Sequence, residues 1–202
     1  MRLNKKLVLA SICVWFSALP MYAMSAPRSV DVREFDIAGV KTGMDFEQAV
    51  AAATQHYKIQ RNDIKVDPFP TVNLVTQTKL PTYFTYEKDG VKLTVNFEGR
   101  VPLNPSHPLT VSMVSYELPW SQQNSAAMAN AARDKYGEHS NAPNNLPMQW
   151  CEKPSSNPGM GCARGDQAVL ELSQVRMTLT DPAWQKARIS FMNDSQKRKP
   201  SF

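Results

Sequence analysis

Residues 91–97 alternate without a lapse. Val91, Leu93, Val95 and Phe97 are apolar, and Lys92, Thr94 and Asn96 between them are polar. Successive side chains of a strand point to opposite faces, so this run has one buried face and one wet face. Residues 82–87 precede it, and Lys88-Asp89-Gly90 lies between, with a glycine available for positive φ. The two runs predict a hairpin with one buried face. An antiparallel sheet that needs a cover on its apolar side is the constraint the rest of the chain must meet.

The covers are legible as helices. Asp45 is a good N-cap and Gln48 stands three residues on, as a capping box requires, while Met44 is placed to staple onto Ala49. Phe46, Ala49, Val50, Ala53 and Tyr57 share a helical face, which predicts a helix over 45–57. After Pro119-Trp120-Ser121 an alanine-rich run carries a stripe of Met128, Ala131, Ala132 and Tyr136, and Gly137 is placed to end it. Asp181-Pro182 reads as an N-cap with proline at the first helical position, and Trp184, Ala187 and Phe191 give a short C-terminal helix its face.

Further strands are expected at 32–37, around Ile64 and Val66, at 72–76, at 109–118, from Trp150, at 169–172 and at 175–180. Helices segregated from runs of antiparallel strands mean an α+β fold, with helices packed on an antiparallel sheet. Residues 27–192 suit one domain, and 30–118 and 119–192 each read as a helix followed by a meander, the pattern of two diverged repeats. Residues 193–202 read as a basic flexible tail.

The amino terminus carries a separate message. Arg2, Lys5 and Lys6 precede a thirteen-residue apolar run, 7–19, which Pro20 breaks before the small residues Ala23, Ser25 and Ala26. That order is a secretory signal peptide, expected over 1–25. Thirteen residues rise only about 20 Å as a helix, short of a hydrocarbon core of about 30 Å. Ile12 before Cys13 departs from the small residues that lipidation needs, so no stable membrane anchor is expected after cleavage. Loss of Arg2, Lys5 and Lys6 from 23 basic groups leaves 20 against 18 acidic ones, a charge of +2, and Lys197, Arg198 and Lys199 sit together in the tail. The tail suits contact with anionic lipid or simple solvation. A body this close to neutral lacks the basic face that displaces counterions from nucleic acid, so nucleic acid is not an expected partner.

With Cys13 removed, Cys151 and Cys162 remain. An even pair in an oxidising compartment predicts a disulfide closing a ten-residue loop rich in Pro, Gly and Ser.

The segment Gly39-Val40-Lys41-Thr42-Gly43-Met44-Asp45-Phe46-Glu47-Gln48-Ala49 resembles the entry to the first helix of BamE/SmpA-like and β-lactamase-inhibitor-like envelope proteins. Lys135-Tyr136-Gly137 and the stretch from Trp150-Cys151 to Cys162 are similar to the C-terminal half of secreted bacterial proteins of this type. The resemblance implies a small scaffold that binds other proteins through its sheet face and loops.

Chemistry is sparse. His56, His107 and His139 are isolated in sequence and read as surface or capping residues, and no Gly-x-Ser-x-Gly, His-Glu-x-x-His, phosphate-loop or dinucleotide pattern occurs. Met148, Cys151, Met160 and Cys162 place four soft sulfurs around one loop, a set that suits Cu(I), although two thiols in an oxidising compartment pair with one another first. Arg164-Gly165-Asp166 spells an adhesive tripeptide that a turn also explains. Phe84 and Tyr86 are expected in the core, and Tyr83, Trp120, Arg164 and Asp166 are candidate partner-binding residues. The expectation is a secreted, periplasmic, non-enzymatic module that needs no cofactor and binds another envelope protein as adaptor, inhibitor or assembly factor. The alternatives are an envelope enzyme with a dispersed site and a copper-handling protein.

Overall fold

The computed structural model describes residues 27–145, 147–157 and 159–196. The expected signal peptide and the basic run Lys197, Arg198 and Lys199 lie outside the described residues.

The predicted hairpin forms as β4 (Tyr83–Lys88) and β5 (Val91–Gly99), paired from Tyr83 with Asn96 to Lys88 with Val91. Its two-residue loop puts both Asp89 (φ 51°) and Gly90 (φ 77°) in the left-handed region, the conformation that matches the twist of paired strands. A Cβ on Gly90 would lie 2.5 Å from Cγ of Pro119, so the glycine also makes room for the next connection.

Around the hairpin, β1 (Lys65–Val66), β6 (Leu109–Glu117), β7 (Met148–Cys151), β8 (Val169–Ser173) and β9 (Arg176–Thr180) complete a seven-stranded antiparallel sheet in the order β1-β4-β5-β6-β9-β8-β7. Two short strands, β2 (Thr71–Val72) and β3 (Lys79–Leu80), pair separately. Three helices accompany them among the described residues, α1 (Phe46–Tyr57), α2 (Gln122–Tyr136) and α3 (Pro182–Gln196), so the α+β architecture is as the sequence predicts.

Register assigns the faces. Phe84, Val95, Val114, Leu179, Leu170 and Trp150 lie opposite one another across six strands, and every one is buried. Tyr86, Leu93, Tyr116, Met177, Leu172 and Met148 form the neighbouring row. This front face carries the main core, covered by α1 through Phe46, Val50 and Ala53 and by α2 through Met128, Ala132 and Tyr136. Phe46 packs against Phe84 and Phe97 with ring centroids 6.2 and 5.1 Å away, and Tyr57 meets Tyr86 at 4.5 Å.

α1 starts where the capping box predicts. The Asp45 carboxylate accepts the Gln48 N–H at 2.9 Å, and the Gln48 side-chain amide oxygen accepts the Asp45 N–H at 3.0 Å. At α3 the Asp181 carboxylate accepts the Ala183 N–H at 3.0 Å while its other oxygen takes a hydrogen bond from Arg33, also at 3.0 Å. α3 runs to Gln196, so the first residues of the expected tail are helical.

Three local expectations are corrected. Residues 32–37 form no strand: Val32–Glu34 is a 3₁₀ turn capped by Asp31, and Ile37 bridges only to Val40 across Ala38 (φ 52°) and Gly39 (φ 79°), a reversal held by the Asp36 carboxylate on the Gly39 N–H. The strand expected over 72–76 stops at Val72, because the Asn73 side chain accepts the N–H groups of Val75 and Thr76 and turns the chain. Ala131 is exposed although it lies on the apolar stripe of α2, because that side of the helix faces a cleft instead of a neighbour.

Candidate functional site

The opposite, back face of the sheet is built from the polar half of the alternation. Thr85, Thr94, Ser115, Thr178, Glu171 and Gln149 lie in one register row across six strands, and Lys92, Glu117 and Arg176 in the next. Two hollows of about 420 and 430 Å³ run together over Met113, Arg176 and Thr178. Arg176 donates to Glu117 at 2.8 and 3.0 Å across β9 and β6, and Arg164 pairs with Glu171.

Two structures wall this trough. At one side Cys151 and Cys162 form a disulfide (S–S 2.04 Å), and with Val169 they make a small separate core behind β7 and β8. Gln149, also on the back, accepts the Cys162 N–H at 2.8 Å and donates to Glu171 at 2.8 Å. At the other side α3 lies toward the far end of β5 and β6, with Arg188 2.7 Å from Glu98. An ion pair of 3.2 Å between Asp166 and Lys186 joins the two walls.

A second candidate surface is the arm that leaves β1 and carries β2 and β3. It exposes Val66, Phe69, Val72 and Leu74, with Phe69 82% accessible. Such side chains are costly to hold in water, yet the arm is fixed by polar clasps. The Asp67 carboxylate accepts the Thr82 N–H (3.0 Å), the Thr82 hydroxyl (2.7 Å) and the Phe69 N–H (2.9 Å), which in that order of influence hold its carboxyl below the ordinary aspartate range. Val75 is buried, and a Cβ on Gly99 would lie 2.4 Å from Asn73 Oδ1, so the arm is seated closely on β5.

The candidate partner-binding residues distribute over these surfaces. Tyr83 stands at the base of the arm, its carbonyl accepting the Asp67 N–H, and its side chain shares the back face with Asn96. Arg164 and Asp166 belong to the trough walls, each in an ion pair. Trp120 is 73% exposed at the end of the sheet and donates its indole N–H to Gln174 at 3.2 Å. Phe84 and Tyr86 are buried in the front core, as expected.

The four sulfurs do not meet. The cysteines are bonded to one another, Met148 is buried on the front, three residues and one face away from Cys151, and Met160 is exposed. Among the described residues no group of three or more His, Cys, Asp or Glu side chains has the arrangement of a metal site. No helix among them is long and apolar enough to cross a membrane.

One polar pair escapes sequence reading altogether. Asp45 is buried, and while one carboxylate oxygen caps α1 the other lies 2.9 Å from Nδ1 of His107. The pair borders a hollow of about 270 Å³ together with Glu47 and Ser106. Nothing local signals it, since the partners are joined only by the packing of the 101–108 connection against the start of α1. The exposed arm had a fainter signal in the isolated Phe69 between Pro68 and Pro70. Comparison of the chain with protein families, with curated proteins and with solved structures finds no match.

Proposed function

We propose that this chain is a secreted protein of the cell envelope that works by binding another envelope protein, with the 66–80 arm and Tyr83 as its principal contact. The observation that carries the reading is the exposed Val66, Phe69, Val72 and Leu74 on a fixed arm. Apolar side chains presented on a preorganised element lose little freedom on association, and aromatic anchors dominate interface energetics. The disulfide and the amino-terminal charge pattern support an oxidising compartment outside the cytoplasm. The resemblance to BamE/SmpA-like and β-lactamase-inhibitor-like proteins supports the same class of role.

The test is crosslinking of the tagged protein in its native envelope, with identification of the captured species by mass spectrometry. A dominant protein partner that disappears with Phe69→Asp or Val72→Asp, both at exposed positions, is the expected outcome. Capture that is indifferent to both substitutions rejects the arm, and capture of no protein above an untagged control rejects the binding role.

One observation favours a second reading, an envelope enzyme. An imidazole held at Nδ1 by a buried carboxylate presents Nε2 as a general base. Hydrolysis of an envelope glycan or peptide that is lost in His107→Ala, with folding intact, would establish it; an unchanged rate in that variant would remove it.

A further inference from the structure

A cleft of about 370 Å³ opens on the front of the molecule between α1 and α2, and it stands apart from both the arm and the back trough. Its origin lies in the sequence of α2. From α2 the cleft is lined by Ala127, Ala131 and Ala132, whose side chains end at Cβ, together with Met128, Lys135 and Tyr136. Tyr116 and Met177 line it from the sheet, with Leu118, Ile37 and Ala38 also in its wall. The volume falls within the range of small-molecule sites, roughly 300–1,000 Å³, and the lining is mainly apolar as such sites are.

The few polar groups of the lining define what end a ligand must have. No Asp or Glu lines the cleft, and its charged or chargeable nitrogen groups are His56 and Lys135. The Tyr136 hydroxyl is already committed, donating to the Asp36 carbonyl at 2.7 Å. Lys135 gives two hydrogen bonds to Asp36, one to its carbonyl at 3.0 Å and one to its carboxylate at 2.7 Å. An ammonium has three hydrogens and accepts nothing, so Lys135 has one more to offer, and only to an acceptor. Tyr57 also lines the cleft, and its buried hydroxyl makes no hydrogen bond.

We propose that this cleft binds one molecule of a free amphiphile with an apolar body and a carboxylate head, the body lying along the alanines of α2 and the head set at Lys135 and His56. Asp36 already neutralises part of the lysine charge, so the head group adds to the binding without dominating it. The proposal is independent of the protein-binding reading, because none of the lining residues belongs to the arm.

Calorimetric titration of the purified, disulfide-bonded protein with decanoate, and in parallel with decanol, tests it. Decanoate should bind one to one and roughly threefold or more tighter than decanol, reflecting one charge-assisted hydrogen bond at a wet mouth. Ala131→Phe should weaken both at least tenfold by filling the cleft. Ala127→Phe, one turn earlier and also exposed, repeats the test should the first variant fail to fold. Lys135→Met should abolish the preference for decanoate and retain decanol. Absence of binding by either probe, or binding untouched by both alanine substitutions, overturns the proposal. Cosedimentation with phosphatidylglycerol vesicles in place of binding to free decanoate overturns it as well, since it would assign the surface to a bilayer.

Discussion

Leu170 and Leu172 of β8 lie sealed on the front of the sheet, while Glu171 between them faces the back and meets Arg164 and Gln149. The same contrast holds along β5 and β9. On the front, α1 and α2 exclude water and apolar burial supplies the cohesion. On the back, α3 and the disulfide loop reach only the margins, and cohesion comes from one covalent bond, a three-residue core and ion pairs. The difference teaches where change is tolerated. Outside the cleft between α1 and α2, the front is occupied by the requirements of folding, whereas the back and the arm carry fewer of them.

The largest effect should come from the front. Phe84→Ala removes a fully buried ring between Phe46 and Phe97 and should cost about 3–5 kcal/mol in denaturant unfolding. A loss below about 1 kcal/mol would mean that the front is not the stability core. Next comes the back's covalent element. Replacing Cys151 and Cys162 together by serine should cost about 2–4 kcal/mol, and amide exchange should rise first in 152–168 and leave α1 protected. Exchange rising equally on both faces would show that they unfold as one unit and would break the distinction.

A smaller effect is expected at the start of α1. Asp45→Ala loses the cap and the His107 contact and should cost roughly 1–2 kcal/mol by thermal or denaturant unfolding, with Asp45→Asn recovering most of the cap. Acid should act through Asp36. Burial raises the Asp36 carboxyl, but the Lys135 hydrogen bond, the Gly39 N–H and the charges of Lys135 and Lys41 together outweigh it and hold the group below its ordinary value. A carboxylate depressed in the folded state stabilises above its unfolded pKa and loses that contribution as pH falls through the folded one. The stability difference between the protein and Asp36→Asn should therefore be constant near neutrality and shrink only below about pH 4, in unfolding curves taken across that range. A difference that does not change down to pH 2 would show that the carboxylate's charge is not what ties α2 to the 36–39 reversal. The smallest effect should be Thr94→Ala in the middle of the open back face, within about 0.5 kcal/mol; a larger cost would mean that the hydroxyl row is structural.

What could be read from the sequence was local. The Asp89-Gly90 hairpin, the Asp45 and Gln48 capping box and the Asp181-Pro182 helix start each declare themselves within a few residues, because the groups that satisfy one another are neighbours in the chain. The 32–37 expectation failed because apolar Val32 and Ile37 serve the core from a turn, where alternation carries no information about backbone conformation. Cross-chain arrangements were silent. The His107 and Asp45 pair, the Asp166 and Lys186 bridge between the trough walls and the gap opened by the α2 alanines depend on how elements pack, and a stripe such as Ala131 with Met128 looks the same whether or not a neighbour covers it. Over the arm the sequence predicts a short strand at Ile64 and Val66 and a second over 72–76, since the side-chain clasps of Asp67 and Asn73 leave no periodic trace.

The outer edge of β7 is met by Ser140 and Asn141, which exchange backbone hydrogen bonds with Gln149, and by Val30 from the amino-terminal side. The Val30 N–H donates to the Cys151 carbonyl at 2.9 Å, and Arg28 donates to the Tyr136 carbonyl across 108 positions. A nascent or threading polypeptide therefore carries its first clasp long before the surface it fastens exists. Until residues 136–151 have emerged, the opening segment has nothing to close upon. Fastening of this opening segment is thus a later step than the pairing of β4, β5 and β6, whose partners lie within residues 83–117.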